Sequence, residues 1–262
     1  MPVQDRLILH LQAKRKLTGM KKIGIIVPWD SPFMWTAPAF NMMNWERPEG
    51  CEIKYIMGVG WCPAARHNDG VAKAQDWNAD LIMFNGGDHV CPKDILVNMK
   101  KRIDEGWDMV HAMPPSRGVC GFDAKPFKAQ SFKVVGSLPK DNYITNAPPG
   151  SITVVSYDDE PQETHISGTG NLMMKAEIFE GLEKPYFEEF IKKDGRYSRY
   201  AVQDSKFTSR CTIEGGARMF CDTSIKIIHL DVFGIDETYS ARFEDKAGMM
   251  DWSPSKDLKA FI

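Results

Sequence analysis

The sequence lacks the cysteine pattern of a disulfide-stabilised or zinc-binding domain. None of its six cysteines belongs to a Cys-x-x-Cys pair, and most lie beside apolar segments, which predicts reduced, mostly buried thiols. Long apolar runs are also missing: residues 23–28 form one of the longest, and this is far too short to span a bilayer. No apolar core of a signal peptide follows Met1. We therefore expect a soluble, cytoplasmic protein without a transmembrane segment.

A strong charge imbalance is missing too. The 262 residues carry a formal net charge of -2, which argues against tight, purely electrostatic binding to DNA or RNA. The apolar fraction of 43% and the charged fraction of 26% are those of a globular protein with a full core. One exception is local: between Arg117 and Lys140, five basic residues accompany a single acid, Asp123. This basic stretch is either a solvated loop or a site for an anionic acceptor or for donor phosphates.

Two common nucleotide-binding motifs are absent. The first predicted strand–helix turn, residues 28–32, contains no glycine, whereas nicotinamide-dependent oxidoreductases need Gly-x-Gly-x-x-Gly there. The Gly-Lys-Ser/Thr signature of P-loop enzymes does not occur either. These absences argue against a dinucleotide-binding oxidoreductase and against a P-loop protein.

Apolar strands and helices alternate through the first half of the chain. Apolar runs predict strands at residues 22–27, 52–58, 80–84 and 109–113. Helices are predicted between them, at residues 36–45, 64–77 and 92–106. Such alternation with short connections indicates a parallel sheet covered by helices, in which ligands bind at the carboxyl ends of the strands. Pro28, Gly58 and residues 85–88 lie at such ends.

The second half of the chain has a different character. Residues 117–160 are rich in Gly, Pro and Asn, and they predict hairpins and loops. A helix is predicted at residues 204–214, closed by Gly215-Gly216, and a late strand at residues 224–230. We expect one α/β domain over residues 20–235, with a nucleotide-sugar half at 20–115 and an acceptor half at 116–235. Residues 1–19 are predicted as an N-terminal helix, and residues 236–262 as a tail or lid.

Two side chains in this layout are candidate metal ligands. Asp88 follows a buried strand in the glycine-rich turn at residues 85–88, where a carboxylate either holds a divalent cation bound to phosphate oxygens or simply caps the next helix. His229 ends the late strand and is either a packed core histidine or a metal ligand. The metal interpretation of each depends on the other, because both must reach one cleft.

Two further segments are candidate substrate contacts. Small residues at 167–171 precede the apolar run 172–174, and they allow close approach of either a ligand or a neighbouring strand. Gln203 and Asp204 lie near the start of a predicted helix. Asp204 is there either a helix cap or a general base.

In this order, the segments resemble the GT-A-type glycosyltransferases, especially those near glycosyltransferase family 2, from about residue 22 to residue 231. The resemblance lies in Pro28, Ala65-Arg66-His67-Asn68, the strand and turn at 81–92, Gly168-Thr169-Gly170 before the acceptor-side helix, Gln203-Asp204 and His229. Two positions depart from the family pattern. Gly86 stands in place of the first Asp of Asp-x-Asp, and Gln203 in place of the Glu of a Glu-Asp pair.

The resemblance implies a GT-A-like (Rossmann-like), mostly parallel sheet flanked by helices, with a loop- and hairpin-rich acceptor half. It implies metal-dependent, inverting transfer of a sugar from a nucleotide-diphosphate sugar to an acceptor hydroxyl. Asp88 and His229 would hold Mn²⁺ or Mg²⁺, and Asp204 would be the catalytic base. The implied donor-binding residues are Pro28, Trp29, Asp30, Arg66, Asn68, Gly86, Gly87 and Asp88. The implied substrate-binding residues on the acceptor side are Gly168, Thr169, Gly170 and Gln203.

The resemblance leaves the acceptor open among a glycan, a lipid-linked sugar, a protein, a small molecule and a modified nucleic acid. It also leaves two other functions open. A nucleotidyltransferase of similar fold would use the same kind of nucleotide and metal but would attack phosphorus. A catalytically inactive nucleotide-sugar-binding protein would account for Gly86 and Gln203.

Overall fold

A computed structural model describes residues 20–28, 36–114, 131–135, 151–155, 159–188, 203–230 and 234–235 of the chain. The predicted helix at residues 1–19 and the predicted tail at 236–262 lie outside these ranges. So do Trp29, Asp30 and all of the basic stretch except residues 131–135.

The first three strands form the parallel sheet that the sequence predicts. Strand β1 (Lys21–Pro28) lies between β2 (Cys51–Gly58) and β3 (Leu81–Phe84) and is parallel to both. β1 and β3 are buried on both faces, which suits their continuous apolar sequences. β2 lies at the edge of the sheet, and its exposure alternates along much of its length.

Three predicted helices alternate with the strands of the first half of the chain. They are α1 (Thr36–Met43), α2 (Pro63–Asp76) and α3 (Ile95–Asp104). Pro63 suits the first turn of α2, where a missing N–H costs nothing, and Cys62 Sγ accepts from the N–H of Ala65. A Cβ at Gly70 would lie 2.3 Å from a side-chain carbon of Ile26, so this glycine lets α2 lie directly on β1.

The centre of the sheet is a strand from the second half of the chain. The apolar run 172–174, which the sequence left open between a strand and a helix, belongs to strand β10 (Leu172–Lys175). β10 is antiparallel to β3 and to β5 (Met109–His111), and it lies between them. Residues 172–174 are completely buried, and a run that is apolar on both faces suits a central strand.

The remaining strands complete one large and two small sheets. β8 (Gln162–Thr164) and β11 (Met219–Cys221) extend the large sheet, whose order is β2-β1-β3-β10-β5-β11-β8. The second sheet contains β6 (Ser131–Val134), β7 (Ile152–Val155) and β9 (Ile166–Ser167). The third contains β4 (His89–Val90), β12 (Ile228–Leu230) and β13 (Gly234–Ile235). β12 is the predicted late strand, and it begins four residues later than expected.

Helix α4 (Gln203–Ser209) is the predicted acceptor-side helix near Asp204. It continues as one π-helical segment, Arg210–Glu214, and ends at Gly216, whose φ of +71° explains the glycine. A 3₁₀ helix, Ala176–Gly181, follows β10. Within the described ranges, no helix has the length and apolarity needed to cross a membrane.

The core lies on both faces of the large sheet. Ile26 and Phe207 belong to the apolar cluster on the side of α2 and α4. Ile25 and Met99 belong to the cluster on the side of α1 and α3. The two faces therefore hold the sheet rigidly, and its carboxyl edge carries the polar cleft described next.

Candidate functional site

A cleft of about 260 Å³ opens where β1 and β3 end. Its lining residues come from the ends of both strands, from α2, from the glycine turn before β10, from the start of α4 and from β12. They are Pro28, His67, Phe84, Asn85, Gly86, His89, Thr169, Gly170, Asp204 and His229. Six of these ten residues were predicted as site residues from the sequence: Pro28, Gly86, Thr169, Gly170, Asp204 and His229. The cleft position agrees with the rule that ligands bind at strand carboxyl ends.

Asp88 lies between two imidazole rings at one side of this cleft. One carboxylate oxygen is 3.4 Å from Nε2 of His229, and the other is 3.7 Å from Nε2 of His89. One potential ligand atom from each of the three residues lies within 4.8 Å of those of the other two. The sheet of β4, β12 and β13 creates this arrangement. β4 pairs with β12 in a register that places His89 directly opposite His229. The three side chains can therefore coordinate one metal ion.

Two glycines make room for the ring of His89. A Cβ added at Gly86 would lie 2.7 Å from ring atoms of His89 and 2.8 Å from a carboxylate oxygen of Asp88. A Cβ added at Gly170 would lie 2.7 Å from the same ring. Real Cβ atoms essentially never approach so closely. The position where the family has the first Asp of Asp-x-Asp is thus sterically closed here.

His89 is held by the buried Asn171, which in turn contacts the buried Cys91. Its Nδ1 is 2.9 Å from the amide nitrogen of Asn171, and the amide oxygen of Asn171 is 3.2 Å from Sγ of Cys91. Burial, helped by the nearby His229 and His111, lowers the pKa of His89 well below its usual value. The ring is therefore neutral near pH 7, and a neutral imidazole is the form that binds metals.

His67 connects α2 to the glycine turn across the floor of the cleft. Its Nδ1 is 2.8 Å from the carbonyl oxygen of Pro63, which can only accept, so Nδ1 carries a proton. Its Nε2 is 3.1 Å from the hydroxyl oxygen of Thr169. In the neutral ring Nε2 accepts, so the Thr169 hydroxyl donates to it. This bond sets the direction of the Thr169 hydroxyl in the cleft.

Gln203 and Asp204 begin α4, and each has one buried side-chain oxygen without a hydrogen-bond partner in the part of the chain that the structure describes. The buried Oδ1 of Asp204 and the buried Oε1 of Gln203 have no hydrogen-bond partner among the described residues. A buried acceptor without a partner is costly unless a ligand uses it. Asp204 also lines the cleft, so its carboxylate can reach a bound molecule.

Four other described residues that were predicted as site residues, Arg66, Asn68, Gly87 and Gly168, are not among the residues that line the cleft. Arg66 donates from Nε to the Gly60 carbonyl at 3.0 Å, beside the end of β2. Asn68 bonds the backbone of Tyr186 and Phe187 through both ends of its amide. Gly87 and Gly168 lie in the two turns that supply Gly86, Asp88, Thr169 and Gly170. The donor-binding roles of Arg66, Asn68 and Gly87 and the substrate-binding role of Gly168 stay predictions.

Four cleft residues were not among those predicted: His67, Phe84, Asn85 and His89. His89 directly follows Asp88, and neighbouring residues of a strand point to opposite faces, so the pattern argued against a shared site. Asp88 instead lies in the turn and only His89 belongs to β4, which frees both to face one point. The adjacency of an acid and a histidine after a glycine turn was the available signal.

No protein-family model matches the sequence, and no curated protein matches it at a significant level. Among solved structures, A197 from STIV is similar with a TM-score of 0.50 and 16% identity, over 83% of this chain and 87% of A197. At this identity the likeness supports the fold alone, and it agrees with the predicted GT-A-like architecture. The chain therefore has a GT-A-like fold.

Two more distant similarities lie below a TM-score of 0.5. S. aureus TarS 1-349 in complex with UDP has a TM-score of 0.45 at 13% identity, over 78% of this chain and 58% of TarS 1-349. The 4-diphosphocytidyl-2C-methyl-D-erythritolsynthase from Anaerococcus prevotii has a TM-score of 0.39 at 12% identity, over 76% of this chain and 84% of that one.

Proposed function

We propose that this protein is a cytoplasmic glycosyltransferase that moves a sugar from a nucleotide-diphosphate sugar to an acceptor hydroxyl. The observation that carries the proposal is one cleft that unites a three-residue metal-ligand set with the buried Oδ1 of Asp204, which has no hydrogen-bond partner among the described residues. Transfer of a sugar from a nucleotide diphosphate uses both features. Positive charge stabilises the leaving diphosphate, and a base takes the proton from the attacking hydroxyl.

The ligand set fits a divalent ion. Asp88 offers a carboxylate, and His89 and His229 offer imidazole nitrogens, all within 4.8 Å of one another. When bound there, a divalent ion supplies positive charge that offsets the charge developing on the leaving nucleotide diphosphate. The ring of His89 fits here because Gly86 and Gly170 have no side chain, and its Nδ1 is 2.9 Å from the amide nitrogen of Asn171. The three side chains therefore present a preformed site.

Asp204 is the proposed catalytic base. Its carboxylate takes the proton from the acceptor hydroxyl as that oxygen forms a bond to the anomeric carbon of the donor sugar. The bond from the anomeric carbon to the diphosphate oxygen breaks at the same time, and the diphosphate leaves with the electron pair. A single displacement with a single base inverts the configuration at that carbon. The helix that carries Asp204 packs through Phe207 into the core, which holds the base in place.

The donor and acceptor sides of the cleft follow from the same arrangement. Pro28 and Gly86 at the strand ends are proposed donor contacts, together with Arg66 on α2. Thr169, with its hydroxyl oriented by His67, and Gly170 are proposed contacts to the sugar or the acceptor. His67 has both ring nitrogens engaged within the protein, so its proposed role is to orient Thr169.

The first test compares Asp88→Ala with Asp204→Asn. Asp88→Ala removes a metal ligand and should abolish metal-dependent binding of nucleotide-diphosphate sugars, measured by calorimetry. Asp204→Asn keeps the shape of the cleft, so donor binding should persist while transfer or donor hydrolysis slows by roughly 10²–10⁴-fold. Glu180→Gln, an exposed position on the 3₁₀ helix, is the control and should change neither quantity.

The released product separates the proposal from its alternatives. Sugar transfer releases a nucleotide diphosphate, whereas a nucleotidyltransferase releases pyrophosphate. An inactive binding protein would bind donor and release neither. An unchanged rate in Asp204→Asn would remove Asp204 as the base, and failure of every nucleotide diphosphate to bind with any divalent metal would refute the function.

A further inference from the structure

The ligand set of the cleft contains more nitrogen than the family pattern offers. An Asp-x-Asp turn would present two carboxylates, but this chain presents one carboxylate, Asp88, and two imidazoles. The extra imidazole is His89. It occupies the space beside Gly86, where a Cβ would lie 2.7 Å from its ring. A carboxylate at position 86 and the present ring position at 89 therefore exclude each other.

The backbone makes the two-imidazole arrangement a fixed property of the fold. β4 and β12 are paired so that His89 and His229 lie directly opposite each other, and their rings meet edge to face with centroids 4.5 Å apart. The N–H of Leu230 also donates to the carbonyl oxygen of Asp88 at 2.8 Å. All three side chains are thus positioned by one short strand pairing, without a long mobile loop between them.

Asn171 completes the site as a positioning residue. For Nε2 of His89 to coordinate an ion, the ring proton must lie on Nδ1. Asn171 is completely buried. Its amide nitrogen, as placed, is the atom next to Nδ1, and a 180° flip of the amide exchanges oxygen and nitrogen, so that the oxygen accepts from Nδ1 and the NH₂ group faces Sγ of Cys91. Metal-bound histidines usually have such a partner for the second ring nitrogen, which fixes the tautomer and the ring direction.

We propose that this site selects a divalent transition-metal ion over Mg²⁺ and Ca²⁺. The inference deepens the proposed function and rests on it for the role of the ion in the cleft. Mg²⁺ and Ca²⁺ are bound almost entirely by oxygen ligands, whereas imidazole suits Fe²⁺, Co²⁺, Ni²⁺ and Zn²⁺. Two imidazoles and one carboxylate therefore favour those ions, with Mn²⁺ intermediate and Mg²⁺ weakest. Of the two ions that the sequence suggested, the site favours Mn²⁺.

The ligand set also leaves coordination positions open. Three protein ligands on one side of an ion are the pattern of the two-histidine, one-carboxylate sites that hold octahedral metals with free positions. Two free positions suffice for two oxygens of a diphosphate. The same protein ligands can thus select the metal and leave room for the donor.

The test measures metal affinity without any nucleotide. The full chain is stripped of metal with a chelator, desalted, and titrated by calorimetry with Co²⁺, Zn²⁺, Mn²⁺ and Mg²⁺ in turn. We expect Co²⁺ and Zn²⁺ to bind tighter than Mg²⁺ by roughly 100-fold or more, and Co²⁺ binding to give a visible absorption band. An affinity for Mg²⁺ within tenfold of that for Co²⁺ would overturn the proposal.

Matched variants tie the selectivity to named residues. His89→Asp should lower the ratio of Co²⁺ affinity to Mg²⁺ affinity, because an oxygen ligand replaces a nitrogen. It should also change the absorption spectrum of bound Co²⁺. Asn171→Gly, which tolerates the left-handed φ of +57° at this position, should weaken Co²⁺ binding by roughly 10–100-fold. Asn171→Asp keeps a hydrogen-bond acceptor for Nδ1 of His89, so its Co²⁺ affinity should be close to that of the unaltered chain. His165→Gln alters a half-buried histidine that is not among the cleft-lining residues and should leave the ratio unchanged.

The outcome is independent of the proposed reaction. If the metal ranking holds but no nucleotide diphosphate binds, the metal site stands and the glycosyltransferase proposal falls. If nucleotide sugars bind equally well with Mg²⁺ and Co²⁺, the function stands and the selectivity proposal falls. If His89→Asp does not fold, as judged by circular dichroism, the ranking in the unaltered chain still decides.

Discussion

Residues 86 and 170 carry only a hydrogen atom in place of a side chain, and both face the ring of His89. In the sequence, Gly86 looks like the loss of a carboxylate from an Asp-x-Asp motif. In the structure it is the space that His89 needs. Gly86 departs from the family pattern, and His89 fills the space that this glycine leaves. The two positions must therefore be considered together.

A methyl group at either glycine should disturb the metal site. Gly86→Ala and Gly170→Ala each place a Cβ 2.7 Å from the His89 ring, so the ring must move away from Asp88 and His229. We expect Co²⁺ affinity to fall by roughly 10–100-fold in each variant, the scale of a displaced ligand or its support. Gly181→Ala is the control, since a Cβ there has no heavy atom within 4 Å. Equal affinities in all three variants would contradict this account of the glycines.

His111 should make stability fall in acid. It is completely buried at the end of β5, with Nδ1 2.7 Å from the hydroxyl oxygen of Ser131, and burial lowers its pKa from 6.5 to about 4. The unfolded chain therefore binds more protons between these values, so stability is complete above about pH 6.5 and is lost as pH falls toward 4. This single group should cost about 2 kcal/mol between pH 7 and pH 5.

The measurement is urea unfolding of the unaltered chain and of His111→Gln at both pH values. Burial also lowers the pKa of His89 and of His165, so the unaltered chain has further acid sensitivity. Because those groups remain in the variant, most of the difference in slope comes from His111, with a smaller part from His89, whose pKa the nearby His111 helps to lower. Identical pH dependence in the two proteins would show that His111 does not titrate as its burial requires.

Helix α2 carries two neighbouring polar residues with different tasks. Asn68 accepts from the N–H groups of Tyr186 and Phe187 at 3.1 Å and donates to the Phe187 carbonyl at 2.8 Å. These bonds attach α2 to the segment after the 3₁₀ helix. Arg66 is on the side of the helix that meets the end of β2. Asn68 therefore connects two parts of the fold, whereas Arg66 lies near the predicted binding site of the donor.

Asn68→Ala and Arg66→Ala should separate stability from binding. Loss of the three Asn68 bonds should lower the free energy of unfolding by about 1–3 kcal/mol, because the backbone groups are left unpaired. Arg66→Ala should leave stability nearly unchanged and weaken donor binding by roughly tenfold, the value of one charge-assisted bond. The exposed Asn44, with one bond to Phe40, is the control for asparagine loss. If Asn68→Ala weakened only donor binding, its role would be at the ligand.

At the scale of the whole molecule, β10 joins the two parts of the chain. It comes from the second half of the chain and runs antiparallel between β3 and β5, which both belong to the first half. The glycine turn of the cleft directly precedes it. Its side chains alternate between faces: Met173 packs into the cluster with α1 and α3, and Leu172 and Met174 pack into the cluster with α2 and α4. The strand is therefore part of both cores and positions the cleft.

Met173→Ala should destabilise the entire domain. The side chain is completely buried, and Met→Ala substitutions in cores cost about 2–5 kcal/mol through lost burial and a cavity. Val154→Ala, at an exposed position of β7, is the control and should cost under about 0.5 kcal/mol. Thermal or urea unfolding measures both. A cost for Met173→Ala no greater than for Val154→Ala would mean that β10 is not a central strand.

Local patterns predicted most of the first half of the fold. The runs that became β1, β3 and β5 are mainly apolar, and the three helices predicted between residues 36 and 106 are present with ends displaced by at most three residues. Their order implied the parallel start of the sheet and the cleft at its carboxyl edge. The run 172–174 was ambiguous, because a short apolar stretch has no periodicity that separates a buried strand from a helix.

The sequence by itself determined strands β1, β2, β3 and β5 of the large sheet, helices α1 to α4, the glycine-rich turns, and Asp88, Asp204 and His229 as candidate site residues. These features depend on hydrophobic patterns and backbone sterics over a few neighbouring residues, so local sequence is enough to predict them. Only the tertiary structure decided that β10 enters the sheet antiparallel and that His89 joins Asp88 and His229. The physical reason is the pairing of β4 with β12, because a hydrogen-bond register between residues 140 positions apart leaves no local trace in the chain.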